Sequence, residues 1–422
     1  MSYYTSQISS KLIDPNVFVA NVRCEFQLPK NDYGNRMRLE NVGLFGGGNP
    51  TYNSYIGALS SIKSIRLLNG RDELDSCREC NRHLSFKRFS KSAQKNISNN
   101  QPSYKHDYAP VLSGDGTGAD AAAALKEIVK SMDLGGIANR RVAATEAATP
   151  KAYLDLREVF PFLKSVEVLP QSLFPQLRVV IEYETDVRNM ISVDNQTVTT
   201  TRPLLACDVI EDKELVSMMS KELNGATWDA VEHDLIRIPA NNADATALLT
   251  SRRLNGFNNK RLMRFYIAKA PNNKAENVGA ANAVKPGGDL HSQAFLNEVF
   301  QVRVNGSNKL SANGAEFPTQ RLSMTVDAYG ECSTYYGSSR HNPSQQTDVV
   351  SSTFTSGRND YYGMYLNDVV KDMEIQITRD TKQNNAAANA TKPQSSAYDV
   401  HVFGDVRKAL LVNGNDYQVV YA

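Results

Sequence analysis

The chain has 422 residues, 41% of them hydrophobic and 22% charged, with 47 basic against 45 acidic side chains and a formal charge of +2. That length exceeds one ordinary core and predicts two domains. So even a charge balance excludes a strong polyanion-attracting field over the whole molecule.

The first residues, "MSYYTSQISSKLIDPNVF", lack the apolar core of a signal peptide, and no run is long enough to span a bilayer. A soluble protein made in a reducing compartment is the expectation. Five cysteines at irregular spacings agree with it better than a disulfide framework would. The four Asn-x-Ser/Thr sites, at Asn96, Asn195, Asn305 and Asn389, are then chance matches.

Residues 20–28 alternate, with Ala20, Val22, Cys24, Phe26 and Leu28 on one face, which predicts a half-buried strand. "LFGGGNPTY" (44–52) lacks the Lys-Ser/Thr and helix start that a phosphate loop needs, so it reads as a loop between strands. "SIRLLNGRDEL" (64–74) is echoed by "QVRVNGSNKL" (301–310): a strand with an internal Arg, then an Asn-Gly turn. An echo a little over half a chain away predicts two related β-domains.

"CRECNRH" supplies Cys77, Cys80 and His83, half of a zinc site, and no second pair is present at a recognisable spacing. Redox use of the Cys-x-x-Cys would need a helix start, and this region reads as β, so two free thiols in a loop are expected. The basic cluster 82–95 interleaves Phe86 and Phe89 with Arg82, Lys87, Arg88 and Lys91. It suits a nucleic-acid backbone, or equally a strand and loop facing an acidic neighbouring subunit.

One long helix is predicted over 117–136, where Leu125, Ile128, Val129 and Met132 share a face and Gly135-Gly136 ends it. Residues 153–186 then run through a Phe-Pro-rich segment into the alternating strand Leu177, Val179, Ile181, Tyr183. A shorter helix at 211–223 precedes the single tryptophan, Trp228, and marks the boundary between domains at 1–222 and 223–422. Further strands are expected at Phe300–Val304 and Met373–Ile377, and a closing pair at 398–402 and 417–421 ties that segment into a sheet. Polar stretches at 271–293, 334–361 and 381–396 read as loops that are either functional or in contact with partners.

The six histidines, at 83, 106, 233, 291, 341 and 401, form no metal-binding pair in sequence, and no nucleophile motif is present. No catalytic, cofactor-binding or metal-ligating set emerges.

Three features carry a resemblance: Leu-Pro-x-x-Leu at 169–173 before a first-domain strand, "RLNGFN" at 253–258, and the closing pair ending Tyr417-x-Val419-x-Tyr421. In these the chain resembles the double jelly-roll major capsid proteins of icosahedral DNA viruses, the lineage of adenovirus hexon, virophages and polinton-like viruses. The resemblance implies an all-β fold of two eight-stranded jelly-roll barrels side by side, with helical insertions in the first barrel and at the linker. It further implies a homotrimeric, pseudo-hexagonal capsomer in a virion, made in the host cytoplasm, without enzymatic activity or cofactor. Neighbouring capsomers and minor capsid or penton proteins would be its partners. The N-terminal arm would reach towards an inner membrane or core layer, and sequence-specific nucleic-acid binding is not expected. The alternatives are a jelly-roll carbohydrate- or receptor-binding module, a minor capsid protein and a β-rich hydrolase.

Overall fold

The computed structural model describes residues 8–48, 50, 52–53, 56–90, 141–191, 196–238, 247–271, 290, 298–310, 324–325, 327–329, 361–380, 398–414 and 416–422. The helix expected at 117–136, Cys332 and nearly all of the three polar stretches lie outside these residues.

Strands dominate. The first half carries β1 (Ile8–Ile13), β2 (Val17–Val19), β3 (Arg23–Gln27), β4 (Tyr33–Val42), β5 (Leu44–Phe45), β6 (Ile62–Asn69), β7 (Asp72–Cys77), β8 (Ala152–Asp155), β9 (Val168–Leu169), β10 (Leu177–Tyr183), β11 (Thr199–Thr200) and β12 (Leu204–Ile210). The second carries β13 (Thr227–Ile238), β14 (Ala247–Arg253), β15 (Lys260–Pro271), β16 (Glu298–Val304), β17 (Ser307–Asn308), β18 (Tyr361–Val370), β19 (Met373–Asp380), β20 (Tyr398–Asn413) and β21 (Asp416–Tyr421). Among the described residues, strands up to β12 pair only among themselves, and so do strands from β13 onward.

Both halves share one plan. The first stacks β1-β12-β4-β8 on β3-β10-β6-β7; the second stacks β13-β20-β15-β18 on β14-β19-β16-β17. Ranked in chain order within each half, these eight main strands run 1-8-3-6 and 2-7-4-5 both times, which is the jelly-roll order. The fold is a double jelly roll. Additional short strands extend it: β2 widens the first barrel beyond β3, β9 pairs with β4, and β21 pairs with β20.

The alternating runs bury the faces that their pattern requires. Phe300, Val302, Val304, Met373, Ile375 and Ile377 form the second core with Val400, Val402 and Phe265. Leu177, Val179 and Ile181 join Phe26, Leu39 and Leu67 in the first. The sequence echo lands on equivalent hairpins, β6–β7 and β16–β17, whose two-residue turns put Gly70 at φ +60° and Gly306 at φ +79°.

The strand expected at 20–28 is shorter. Residues 20–22 turn instead, because Asn21 takes φ 60° and its amide binds the Val198 carbonyl at 2.7 Å while its carbonyl oxygen accepts from the Thr200 N–H at 2.7 Å. The glycine loop after Leu44 is closed by buried Tyr52, whose hydroxyl accepts from the Leu44 N–H and donates to the Pro150 carbonyl, both at 2.9 Å.

Among the described residues two helices run eight residues or more. Helix α1 (Cys80–Ser90) stands where a β segment and loop were expected. Asn81, His83, Leu84, Ser85 and Phe86 are all buried, so it is covered on nearly every side and has no amphipathic stripe for a periodicity search to find. Helix α2 (Lys213–Ser220) lies within the short helix expected at 211–223, capped by the Asp212 carboxylate on the Glu214 and Leu215 N–H groups and packed on Val168 and Ile210.

Candidate functional site

The two barrels meet where β7 and the turn Phe162–Ser165 face β13. In strand order this brings the 5–6 side of the first barrel to the 1–2 side of the second. The joint is packed as a core. Trp228, the first large residue of β13, lies among the first barrel's buried residues and meets the Phe162 ring edge-on at 4.9 Å.

Aromatic rings continue the joint. Phe86 of α1 stacks on Tyr266 of β15 at 3.6 Å, and Tyr266 stacks on Phe403 of β20 at 5.0 Å. Three histidines gather around Phe403: His83 at 5.8 Å, His233 at 4.8 Å and His401 at 6.5 Å between ring centroids. His83 Nδ1 is 2.9 Å from the Tyr266 hydroxyl, and His233 Nε2 is 3.0 Å from His401 Nδ1. Burial drives all three imidazoles towards the neutral form, His233 to about 4 and the other two well below their usual range.

Charged groups lace the same region. Asp75 on β7 is fully buried and accepts from the Ser76 and Phe162 N–H groups, both at 2.9 Å, which ties the Phe-Pro turn to the strand. Burial pushes its carboxyl up to about 7, against those two hydrogen bonds and the pull of Lys408. Burial disfavours the charge on Lys408 of β20, but Glu232 and then Asp75 outweigh it and hold the ammonium charged. Arg264 binds Asp405 at 2.6 Å and lies over the Tyr329 ring at 4.5 Å. Beside these groups a cavity of about 460 Å³ opens between α1, the Phe162–Ser165 turn and the start of β13.

The C-terminal hairpin crosses the joint. Leu410 of β20 is buried in the first barrel's core. Tyr417 of β21 packs on Phe174 at 5.0 Å, and its hydroxyl accepts from the Asn69 amide at 3.0 Å. The closing strands therefore belong to both barrels.

The residues that the sequence offers for chemistry are enclosed. Cys77 ends β7 and Cys80 begins α1; both thiols are free and buried, and the hydrogen bond that the Cys80 thiol donates to Cys77, then burial, pushes Cys80 well up. Buried Cys24 and Cys207 are pushed up to about 12 by burial. Protonated, enclosed thiols are poor nucleophiles and poor metal ligands. Among the described residues no group of three or more His, Cys, Asp or Glu side chains is placed to hold a metal ion. The described part of the basic cluster is the inner face of the joint: His83 and Phe86 are buried and Arg82 is half-buried. His233 and His401 are unremarkable in sequence because 168 residues separate them; only the β13–β20 register, which pairs residues 227–238 with 398–409, brings them together.

Among the described residues the opposite sides of both barrels end in unpaired strands. On the first, β1 and β2 are sheet edges, and there Leu12 (65% exposed), Val17, Val19 and the turn residue Val22 (59% exposed) face solvent. On the second, β17 and β18 are the edges, with Tyr365 and Val369 exposed on β18. Unpaired edges carrying apolar side chains are surfaces that a natural protein covers.

No protein family and no curated protein matches the chain by sequence. Solved structures do match by fold. PBCV-1 VP54, fitted into a reconstruction of the virophage Sputnik, aligns at TM-score 0.61 with 11% identity over 98% of this chain and 97% of its own. A quasi-atomic model of the PBCV-1 virus capsid aligns at 0.58, also with 11% identity, over 98% and 97%. The Sputnik virophage structure aligns at 0.57 with 10% identity, over 99% of this chain and 88% of its own. Over nearly its whole length, then, the chain is similar in fold to these viral capsid structures.

Proposed function

We propose that this chain is a major capsid protein whose two barrels, residues 1–222 and 223–422, are bricks of a trimeric, pseudo-hexagonal capsomer. The observation that carries the reading is the polarity of the barrel sides. Inside the chain the 5–6 side of one barrel meets the 1–2 side of the next. The sides left over are a 1–2 side on the first barrel and a 5–6 side on the second, which are the two halves of another such joint. A second copy can repeat the contact head to tail, and a heterologous contact of this kind closes into a ring. Three copies supply the six barrels of a pseudo-hexagonal unit, and the fold likeness to the PBCV-1 capsid and Sputnik virophage structures supports a place in a shell.

Some of the exposed apolar residues, Leu12 on β1, Val17 and Val19 on β2 and Tyr365 and Val369 on β18, lie on the strands that this contact would use, which supports the reading; others, such as Met218 and Leu249, lie elsewhere. The near-zero charge supports close packing of many copies, since like-charged subunits would repel one another. Buried protonated thiols, neutral buried histidines and paired carboxylates support a role without catalytic turnover. A virion is the location this function entails. A carbohydrate-binding module is less well supported, because among the described residues the exposed aromatics Tyr153, Tyr365 and Tyr421 lie on three separate strands, β8, β18 and β21.

Sedimentation equilibrium tests the reading. Three chains of 46.7 kDa should sediment together, at about 140 kDa. Leu12→Asp with Val19→Asp should give a monomer with unchanged melting behaviour, since both sites are exposed. A wild-type protein that stays monomeric at high concentration would overturn the proposal.

A further inference from the structure

The joint holds three of the chain's six histidines, contributed by α1, β13 and β20 around one phenylalanine ring. Their geometry needs neutral rings. The 3.0 Å contact between His233 Nε2 and His401 Nδ1 is a hydrogen bond only while one nitrogen donates and the other accepts. With both rings protonated, two N–H donors would face each other at that distance. His83 is buried, and its Nε2 has no hydrogen-bond partner among the described residues. A charge placed on that ring would lack a counter-ion bonded to it.

The surrounding charges sharpen the conflict. His83 faces Lys87 on its own helix, Arg264 from β15 and Lys164 from the Phe162–Ser165 turn. Arg78 and Arg82 approach His233 from the β7–α1 connection and α1. His401 faces Arg82, His233 and Lys63 of β6. The nearby anions are engaged elsewhere: Glu79 pairs with Arg82 and Lys63, Glu184 with Lys63, and Asp405 with Arg264. Asp75, Asp399 and Asp405 also lie along the joint, each pushed up by burial, so by linkage their protonation favours the closed state in acid and works against the opening that the histidines drive.

We infer that the joint between the barrels is an acid-labile seam, which opens when His83, His233 and His401 take up protons while each barrel keeps its sheets. The inference concerns the joint inside one chain and does not depend on the capsid reading. Linkage gives the sign. A histidine held neutral by the fold binds its proton more readily in the opened state. Its contribution to the closed joint is therefore complete above about 6.5 and is lost as pH falls towards 4.

Trp228 is the chain's single tryptophan and sits in the joint against Phe162, so it reports opening directly. The test tracks acrylamide quenching of Trp228 and far-UV circular dichroism in the full-length protein from pH 7.5 to 4.5. Quenching should rise at least threefold across this range while the strand signal is retained. In the His233→Gln, His401→Gln double variant, which keeps a donor and an acceptor but cannot titrate, the rise should shift at least half a pH unit lower. Quenching that stays flat to pH 4.5, or rises only together with loss of the strand signal, would overturn the seam. So would a folded double variant with the wild-type midpoint. Should the double variant fail to fold, the wild-type pair of signals decides alone.

Discussion

At the joint, β7 and β13 bring Trp228, Phe86, Tyr266, Phe403 and three histidines under cover. At the free sides, β1, β2 and β18 leave Leu12, Val17, Val19, Tyr365 and Val369 in solvent. Both pairs of edges hold the same ranks in the jelly-roll order. The difference is that one contact is made within the chain, where the effective concentration is high and permanent, and can bury titratable groups. The free sides instead leave single apolar side chains of β1, β2 and β18 in solvent, with no described strand paired beyond β1 and β18. Topology sets which edges meet; the side chains set how tightly.

The sharpest way to break this comparison is to remove the element shared by core and joint. Deleting residues 398–422 takes away β20, which lies between β13 and β15, and with it Leu410 and Tyr417 from the first barrel. The expected outcome is loss of folding in both barrels by circular dichroism and proteolysis. A truncated chain that still melts cooperatively would show the strap to be dispensable.

A smaller effect is expected from Phe403→Ala at the centre of the joint. Truncating a buried phenylalanine costs about 3–5 kcal/mol. If the joint is core, calorimetry should give one destabilised transition for both barrels. Two separated transitions would mean that the barrels merely touch.

Asp75 allows a test by pH. Its folded-state value of about 7 lies above the usual carboxylate range, so between about 4 and 7 the folded state binds more protons than the unfolded state. The contribution is fully present below about 4 and is lost as pH rises through 7. In Asp75→Asn the denaturation midpoint should change less between pH 5 and 8 than in the wild type. The variant also gives up one of the two acceptors that hold Ser76 and Phe162. Parallel pH profiles would show that Asp75 does not set the pH dependence. The sign is opposite to that of the histidines, so the two contributions can be separated by substitution.

The smallest expected effect compares the two equivalent hairpins. Gly70→Ala and Gly306→Ala each place a Cβ at positive φ, and each should cost about 1–2 kcal/mol in chemical denaturation. Similar values would support the equivalence of the β6–β7 and β16–β17 hairpins; a large difference would set the two turns apart.

Alternation at 177–183, 300–304, 373–377 and 398–402 was enough to place strands with the correct face inward, because a period of two is a local property of an extended chain. The echo of Asn-Gly turns anticipated matched hairpins for the same reason. Helix α1 was not legible: a segment buried on nearly all sides has no periodic contrast between faces. Nor was the turn at 20–22, where Asn21 bonds to residues 198 and 200, far along the chain. The assembly of His83, His233 and His401 depends on strand register and on how one barrel meets the other. Residues scattered over more than 300 positions become neighbours only once both barrels have formed. Composition and local pattern thus determined a two-part β protein. The joint, its buried charges and the edges left open were decided by the tertiary fold, since each depends on which distant strands become neighbours.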